Sequence, residues 1–242
     1  MTVARLYHSG ELHAGREIIL DAPAAHHAVK VLRLKPGDAL VLFDGQGGEY
    51  PARISGSVKS RVTALTGKWQ DTERESALNI ILAQGISSAD KMDFIVQKAV
   101  ELGVSAIFPL DTRRSVVKLS GARAQKRVEH WRRIAISACE QCGRNRIPAI
   151  AEIIALDEFT RQADAQALRV LLSPARGKPL KEFRPPSRII LLAGAEGGFT
   201  AAEEQVAHAA GFISATLGPR VLRTETAALA ALAALQTLWG DF

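Results

Sequence analysis

From Ala77 to the C-terminus, short apolar runs alternate with stretches of helical period, a rhythm that restricts this part of the chain to a parallel-rich sheet covered by helices. Leu78-Asn79-Ile80-Ile81-Leu82-Ala83 suits a strand buried on both faces. After it, Met92, Ile95, Val96, Ala99 and Leu102 recur at helical spacing, and Gly103 is placed to end that helix. A strand over 104–109 completes a βαβ unit, and further strands are predicted at 168–172, 188–192 and 212–217. Thr200-Ala201-Ala202-Glu203 is a capping-box pattern opening a helix that ends near Gly211. A basic helix is predicted from about Ala122 to Cys142, with Val128, Trp131, Ala135, Ala138 and Cys142 on its inner stripe. The last helix, from about Thr224 to Trp239, is nearly all Ala and Leu and is expected to be buried in the core or against another subunit.

The first 66 residues follow a different pattern. Short strands are predicted at 17–20, 39–43, 50–54 and 58–65, separated by Pro36-Gly37-Asp38, Asp44-Gly45 and Gly47-Gly48. One helix interrupts them, capped by Asp21 and running through His26, His27, Val29 and Leu32. A small barrel over residues 1–70 is the natural architecture, with the polar stretch Gly67 to Ser76 as linker and an α/β domain over 77–242.

At 242 residues and 47% hydrophobic, the chain can bury the cores of one or two domains. It contains no apolar stretch of roughly 18 residues and no secretory h-region, so a cytoplasmic location is the default expectation. Cys139 and Cys142 form a C-x-x-C inside a helical pattern with no further cysteine, and read as reduced thiols in or near the core, not as a zinc or redox site. His26 and His27 lack an accompanying carboxylate or cysteine cluster, and no metal is expected. The net charge of +6 is concentrated: residues 113–146 carry ten basic and two acidic side chains, which points to a polyanion-binding face.

Two glycine-punctuated turns, Gly194-Ala195-Glu196-Gly197-Gly198-Phe199 and Leu217-Gly218-Pro219-Arg220-Val221-Leu222-Arg223, each follow an apolar run and open into a helical pattern. Backbone amides exposed at such strand-to-helix turns can hold a ligand. The first lacks the G-x-G-x-x-G of a dinucleotide site. Near Gly177-Lys178 a P-loop would need glycine at Leu172 and Ser or Thr at Pro179, so a nucleoside triphosphate is not encoded in the usual way. H-E-x-x-H and G-x-S-x-G are also absent, which leaves hydrolysis without support.

These two turns resemble the cofactor loops of the bacterial ribosomal RNA methyltransferases that modify N3 of a uridine in 16S rRNA. Gln97-Lys98-Ala99-Val100-Glu101-Leu102-Gly103, Arg114-Ser115-Val116-Val117 and Glu140-Gln141-Cys142-Gly143-Arg144-Asn145-Arg146-Ile147-Pro148 fit the same family, and His27-Ala28-Val29-Lys30-Val31-Leu32-Arg33 resembles its N-terminal signature. The resemblance spans essentially the whole chain. One departure is Ala195, where the family usually has proline; alanine can take proline's φ without enforcing it, so a looser turn is expected.

The resemblance implies the SPOUT fold, with a C-terminal trefoil knot, a PUA-like N-terminal RNA-binding domain and homodimers. It implies S-adenosylmethionine held by Leu172, Gly194, Glu196, Gly197, Gly198, Leu217, Gly218, Val221, Leu222, Arg223 and Thr226. Uridine N3 is a poor nucleophile while protonated, so its proton must be removed or the anion stabilised. Arg223 is the first choice for anion stabilisation, with Glu225 or Glu196 to accept a proton or favour the sulfonium; a structural Arg223–Glu225 clamp is the alternative. Arg5, His27, Lys30, Arg33, Arg113, Arg114, Arg144, Asn145 and Arg146 are candidate RNA contacts, with ribosomal RNA of the small subunit as partner. Two other readings stay open: a related enzyme acting on tRNA or a ribose 2′-OH, and a non-catalytic RNA-binding or ribosome-assembly protein.

Overall fold

Five strands form the sheet of the first of two units in the computed structural model, which describes residues 3–58, 61–174 and 176–242. They are β1 (Ala4–Tyr7), β2 (Glu17–Ile19), β3 (Ala39–Phe43), β4 (Tyr50–Val58) and β5 (Arg61–Thr66), in the order β1-β3-β4-β5-β2. β3, β4 and β5 form an antiparallel meander, while β1 joins β3 in parallel. Asp21 caps α1 (Ala22–His26) by accepting the Ala24 N–H at 2.9 Å, and Pro23 occupies its first turn. The helical signal seen through Leu32 continues as one π turn over His27–Val31. Ala24, Ala25 and Ala28 pack there against Leu6, Leu40, Leu42, Ile54 and Val62. β1 had no sequence signal of its own, because a four-residue strand is specified by the neighbour it pairs with. The strand expected at 58–65 divides between β4 and β5, and its Lys59 and Ser60 lie outside the described residues.

The first unit spans Met1–Glu75 and also takes Cys139–Ile147 from the middle of the sequence; the second comprises Ser76–Ala138 and Pro148–Phe242. Of the stretch expected to be a linker, Gly67 to Glu75 therefore belongs to the first unit, and Ser76 begins the second. Glu49 and Gln70 exchange backbone hydrogen bonds of 2.9 and 2.8 Å, Arg74 Nη1 donates to the Gly143 carbonyl at 2.8 Å, and Glu75 accepts from Arg144 Nε at 3.0 Å. The side chains of Glu73, Arg74 and Glu75 thus find partners within the same unit, while Lys68, Gln70 and Asp71 are exposed.

In the second unit, the predicted βαβ is β6 (Asn79–Gly85), α2 (Ala89–Glu101) and β7 (Ala106–Asp111), with β6 and β7 paired in parallel. Then follow α3 (Gly121–Cys142), β8 (Ala149–Ile150), β9 (Ile154–Ala155), α4 (Leu156–Gln162), β10 (Leu168–Leu172), β11 (Lys178–Pro179), β12 (Arg188–Ala193), α5 (Ala201–Ala209), β13 (Ile213–Thr216) and α6 (Thr224–Trp239). The sheet runs β11-β13-β10-β12-β6-β7-β8, with β9 also on β7, and every pairing is parallel. α2 packs on α6, and Ala228, Ala231, Leu232 and Leu235 of α6 are buried, as the Ala/Leu composition required. Thr200 and Glu203 form the complete capping box at the start of α5. Along α3 the buried stripe reaches Cys139, with Cys142 only half-buried; a 3.6-residue period drifts off a repeat of three and four over about four turns. Burial pushes the Cys139 thiol up to about 12, so it stays protonated and unreactive.

Candidate functional site

Three strands, β10, β12 and β13, lie side by side, and the chain leaving their carboxyl ends encloses a cavity of about 470 Å³. The crevice beyond the carboxyl ends of parallel strands is where α/β sheets bind ligands. Leu172, Gly194, Glu196, Gly197, Gly198, Leu217, Gly218, Val221, Leu222 and Arg223 all line it, joined by Ser173, Pro174, Thr224 and Ala227. Two turns separated by 23 positions in sequence thus become opposite walls of one pocket.

Close backbone approach makes the pocket possible. The Gly198 N–H donates to the Ala195 carbonyl at 2.9 Å, closing a turn with Gly198 at φ +66°, and Ala195 is buried within it. A Cβ on Gly194 would lie 2.9 Å from Gly198 Cα, and one on Gly85 would lie 2.5 Å from the Ala195 nitrogen. Gly85 escaped the sequence reading, although an isolated glycine ending an apolar strand is the signal for such an approach. Gln84 beside it donates to the Gly194 carbonyl at 3.0 Å and to Thr224 Oγ1 at 3.1 Å, while Thr224 Oγ1 itself donates to the Gly194 carbonyl at 2.5 Å.

Thr226 is not brought into the cavity. It is exposed on α6, two residues and about 200° round the helix from Thr224, which takes the lining position. Glu225 does not line it either, and the Arg223–Glu225 clamp does not form: Glu225 Oε2 lies 3.8 Å from Lys91 Nζ. Lys91 lines the cavity and also lies 3.6 Å from Glu196 Oε1, which accepts the Ser88 N–H at 2.9 Å. Burial alone would raise the Glu196 carboxyl, but the Ser88 hydrogen bonds and the Lys91 charge hold it below the usual range. Lys91 was missed because a single lysine in the first turn of a helix carries no motif. Arg223 is the N-cap residue of α6, exposed, outside every ion pair among the described residues, and one of the residues lining the cavity.

Arg114, one of the candidate RNA contacts, is exposed and bound to the first turn: Nη1 donates to the Gly197 carbonyl at 2.9 Å and the Phe199 carbonyl at 3.1 Å. Its side chain fills the space a Cβ on Gly197 would need, 3.0 Å from Arg114 Cβ. Arg114→Ala is expected to weaken ligand binding in this cavity about tenfold by releasing the turn, which calorimetry would read.

The remaining basic candidates divide by burial. Arg5, Arg144 and Asn145 are interior: Arg5 donates to Glu49 Oε2 and to Asn145 Oδ1, each at 2.5 Å, Asn145 Nδ2 donates to Glu49 Oε2 at 3.1 Å, and Arg144 is paired with Glu75. Asn145 is 0% and Arg144 4% exposed, so neither reaches a surface ligand while the first unit is folded. His27 is half-buried, its Nδ1 3.1 Å from Glu140 Oε2, while Glu140 Oε1 accepts the Tyr7 N–H. Burial outweighs these partners and raises the Glu140 carboxyl. Lys30, Arg33, Arg113 and Arg146 are exposed. Arg33 holds φ +56° because it ends the π turn in the left-handed cap position, where the Leu34 N–H reaches back to the Ala28 carbonyl at 2.9 Å.

The cavity fits S-adenosylmethionine in kind. It has the volume of a small-ligand pocket, its walls mix apolar side chains with backbone polar groups, and nothing lies within 4 Å of where a Cβ would sit on Gly198 or Gly218, so a ligand can approach both backbones. An RNA methyltransferase domain model matches residues 74–236, and an RNA methyltransferase PUA domain model matches residues 20–65. The ribosomal RNA small subunit methyltransferase E of Buchnera aphidicola subsp. Acyrthosiphon pisum is 34% identical over 99% of this chain and 95% of its own, and that of Bacillus subtilis 32% identical over 87% and 86%. A structure of the ribosomal RNA small subunit methyltransferase E of Neisseria gonorrhoeae bound to S-adenosyl methionine superposes with a TM-score of 0.94 at 44% identity, covering all of both chains. A Legionella pneumophila structure in complex with the same cofactor gives a TM-score of 0.97 at 40% identity, again over both full chains.

Proposed function

Because this chain belongs to the ribosomal RNA small subunit methyltransferase E family, we propose that it transfers a methyl group from S-adenosylmethionine to N3 of a uridine in 16S ribosomal RNA. The observation that carries this reading is the cavity built from the two glycine turns at the carboxyl edge of the parallel sheet. When bound, S-adenosylmethionine supplies an electrophilic methyl group on a positively charged sulfur.

The residues of the chain do the rest. The Gly194–Gly198 turn, held from outside by Arg114 and Thr224, gives the donor a shaped, largely preformed site, so that its orientation is fixed before the acceptor arrives. Arg223, in no ion pair among the described residues and lining the cavity, is the cation that would stabilise the anion spread over O2, N3 and O4 of the deprotonated base. Glu196 is engaged by Ser88 and Lys91 and held ionised, which suits it to anchor the turn and to favour a nearby positive sulfur more than to accept a proton. Arg223→Ala is expected to slow single-turnover methylation about a hundredfold at saturating donor. Undiminished single-turnover rates in that variant would remove the role.

The family resemblance also supports a homodimer, a knotted C-terminal chain, the assembled small subunit as substrate and a cytoplasmic setting. Among the described residues no helix is long and apolar enough to cross a membrane. Incubating the protein with purified unmodified small subunits and labelled donor, then mapping the product, tests the reading: a single N3-methyluridine in 16S RNA supports it, whereas label in a ribose, in tRNA or nowhere overturns it.

A further inference from the structure

Lys91, in the first turn of α2, meets one carboxylate from each of the two chain segments that follow β12 and β13. Its Nζ is 3.6 Å from Glu196 Oε1 in the first glycine turn and 3.8 Å from Glu225 Oε2 in the first turn of α6. The Lys91 side chain is 30% exposed, that of Glu196 23% and that of Glu225 18%, so water screens the three charges only in part. Glu225 Oε2 is buried without a hydrogen-bond partner among the described residues, which leaves the Lys91 ammonium as the cation that compensates it. Glu196 has an anchor of its own in the Ser88 N–H at 2.9 Å.

The two segments are also tied at the root of the first turn, where Thr224 Oγ1 and Gln84 Nε2 donate to the carbonyl of Gly194, the residue that follows β12. Glu196 stands further out, at the second position of the turn that the Gly198 N–H closes on the Ala195 carbonyl. Among the described residues, Lys91 is the one ion-pair link between that tip and α6. A single ammonium between two carboxylates attracts both. Without it the carboxylates repel each other, and the tip of the turn moves away from the start of α6.

We propose that Lys91 is a positioning residue for the methyl donor, acting through Glu196 and Glu225: it draws the tip of the first turn toward α6 and fixes the width of the cavity before the donor enters. The identity of that donor rests on the methyltransferase reading above, whereas the coupling of the two segments does not.

The test is calorimetry of S-adenosylmethionine binding to the full-length protein, beside amide hydrogen exchange in the donor-free protein. The variants are Lys91→Met, Lys91→Arg, Glu225→Gln and the double variant Lys91→Met/Glu225→Gln; methionine keeps the helix propensity and the apolar stem of lysine. Lys91→Met is expected to weaken donor binding about fivefold, and Lys91→Arg to restore most of the loss. Glu225→Gln is expected to lower affinity in the wild-type background yet raise it in the Lys91→Met background, where it removes the repulsion. In the donor-free protein the Gly198 amide is expected to exchange about fivefold faster in Lys91→Met and to slow again in the double variant. A double variant that binds no better than Lys91→Met would mean that Lys91 touches the donor directly, and overturns the proposal. Wild-type exchange at Gly198 in Lys91→Met overturns it as well. If the wild-type protein binds no S-adenosylmethionine, the methyltransferase reading fails and the donor role with it, while the exchange rates still decide whether Lys91 couples the two segments.

Discussion

Gly85→Ala should weaken S-adenosylmethionine binding about tenfold to a hundredfold while leaving a folded protein. The new methyl would stand 2.5 Å from the Ala195 nitrogen, a distance that real Cβ atoms do not sustain, and a tight 3.0 Å from the Gly194 carbonyl carbon. Both are backbone atoms, so no side-chain rotation relieves the contact, and the donor turn must move away from β6. β6 is a central strand with neighbours on both sides, whereas the turn is joined to it through Gln84 and Thr224, so displacement falls on the turn. Calorimetry of donor binding beside a urea denaturation curve separates the two effects. Wild-type donor affinity would show that the turn is not held against Gly85 as described, and a loss of stability large enough to abolish folding would show that the strain falls on the sheet.

The second large effect concerns stability. Arg5→Ala is expected to cost the first unit about 3 kcal/mol, the order found when one partner of a buried ion pair is removed. Glu49, with a side chain 10% exposed, would keep only the Asn145 amide at 3.1 Å and Arg74 at 3.7 Å. The same network makes the unit acid-sensitive. Burial would raise the Glu49 carboxyl, yet hydrogen bonds from Arg5 and Asn145 and the charges of Arg5 and Arg74 together hold it below its ordinary value of 4.5. Because the folded value lies below the unfolded one, this contribution is complete above about pH 4.5 and disappears as pH falls through the lower folded value. Urea midpoints measured from neutral pH down to pH 3 check both statements, with the variant losing its extra acid sensitivity. An unchanged midpoint accompanied by weaker RNA binding would return Arg5 to the RNA surface.

Arg5, Asn145 and Arg144 also show where a family signature misleads. A basic residue within a recurring motif reads as a ligand contact, and the exposed residues Lys30, Arg33, Arg113 and Arg146 remain available for that role. The other three spend their donors on Glu49, Glu75 and main-chain carbonyls. Burial distinguishes the two classes, and burial is not written in residue type. Lys91 illustrates the converse, since a cation with no motif becomes part of the cavity once α2 carries it beside Glu196.

What the amino-acid order settled alone was everything governed by short range. In residues 77–242, β6, α2, β7, α3, β10, β12, α5, β13 and α6 follow from apolar period, while β8, β9, α4 and β11 were not read from it; Asp21 and Thr200 announce their helices, and the glycines at 194, 197, 198 and 218 mark turns that leave room for close approach. What they come close to was decided in three dimensions. Placing β10, β12 and β13 side by side joined two distant turns into one cavity, Gly85 met Ala195 across 110 positions, and Cys139–Ile147 left the segment around it to complete the first unit. Period and capping act over one or two helical turns, whereas these contacts depend on strand order and on which buried polar group finds its partner, and both are fixed only when the whole chain packs.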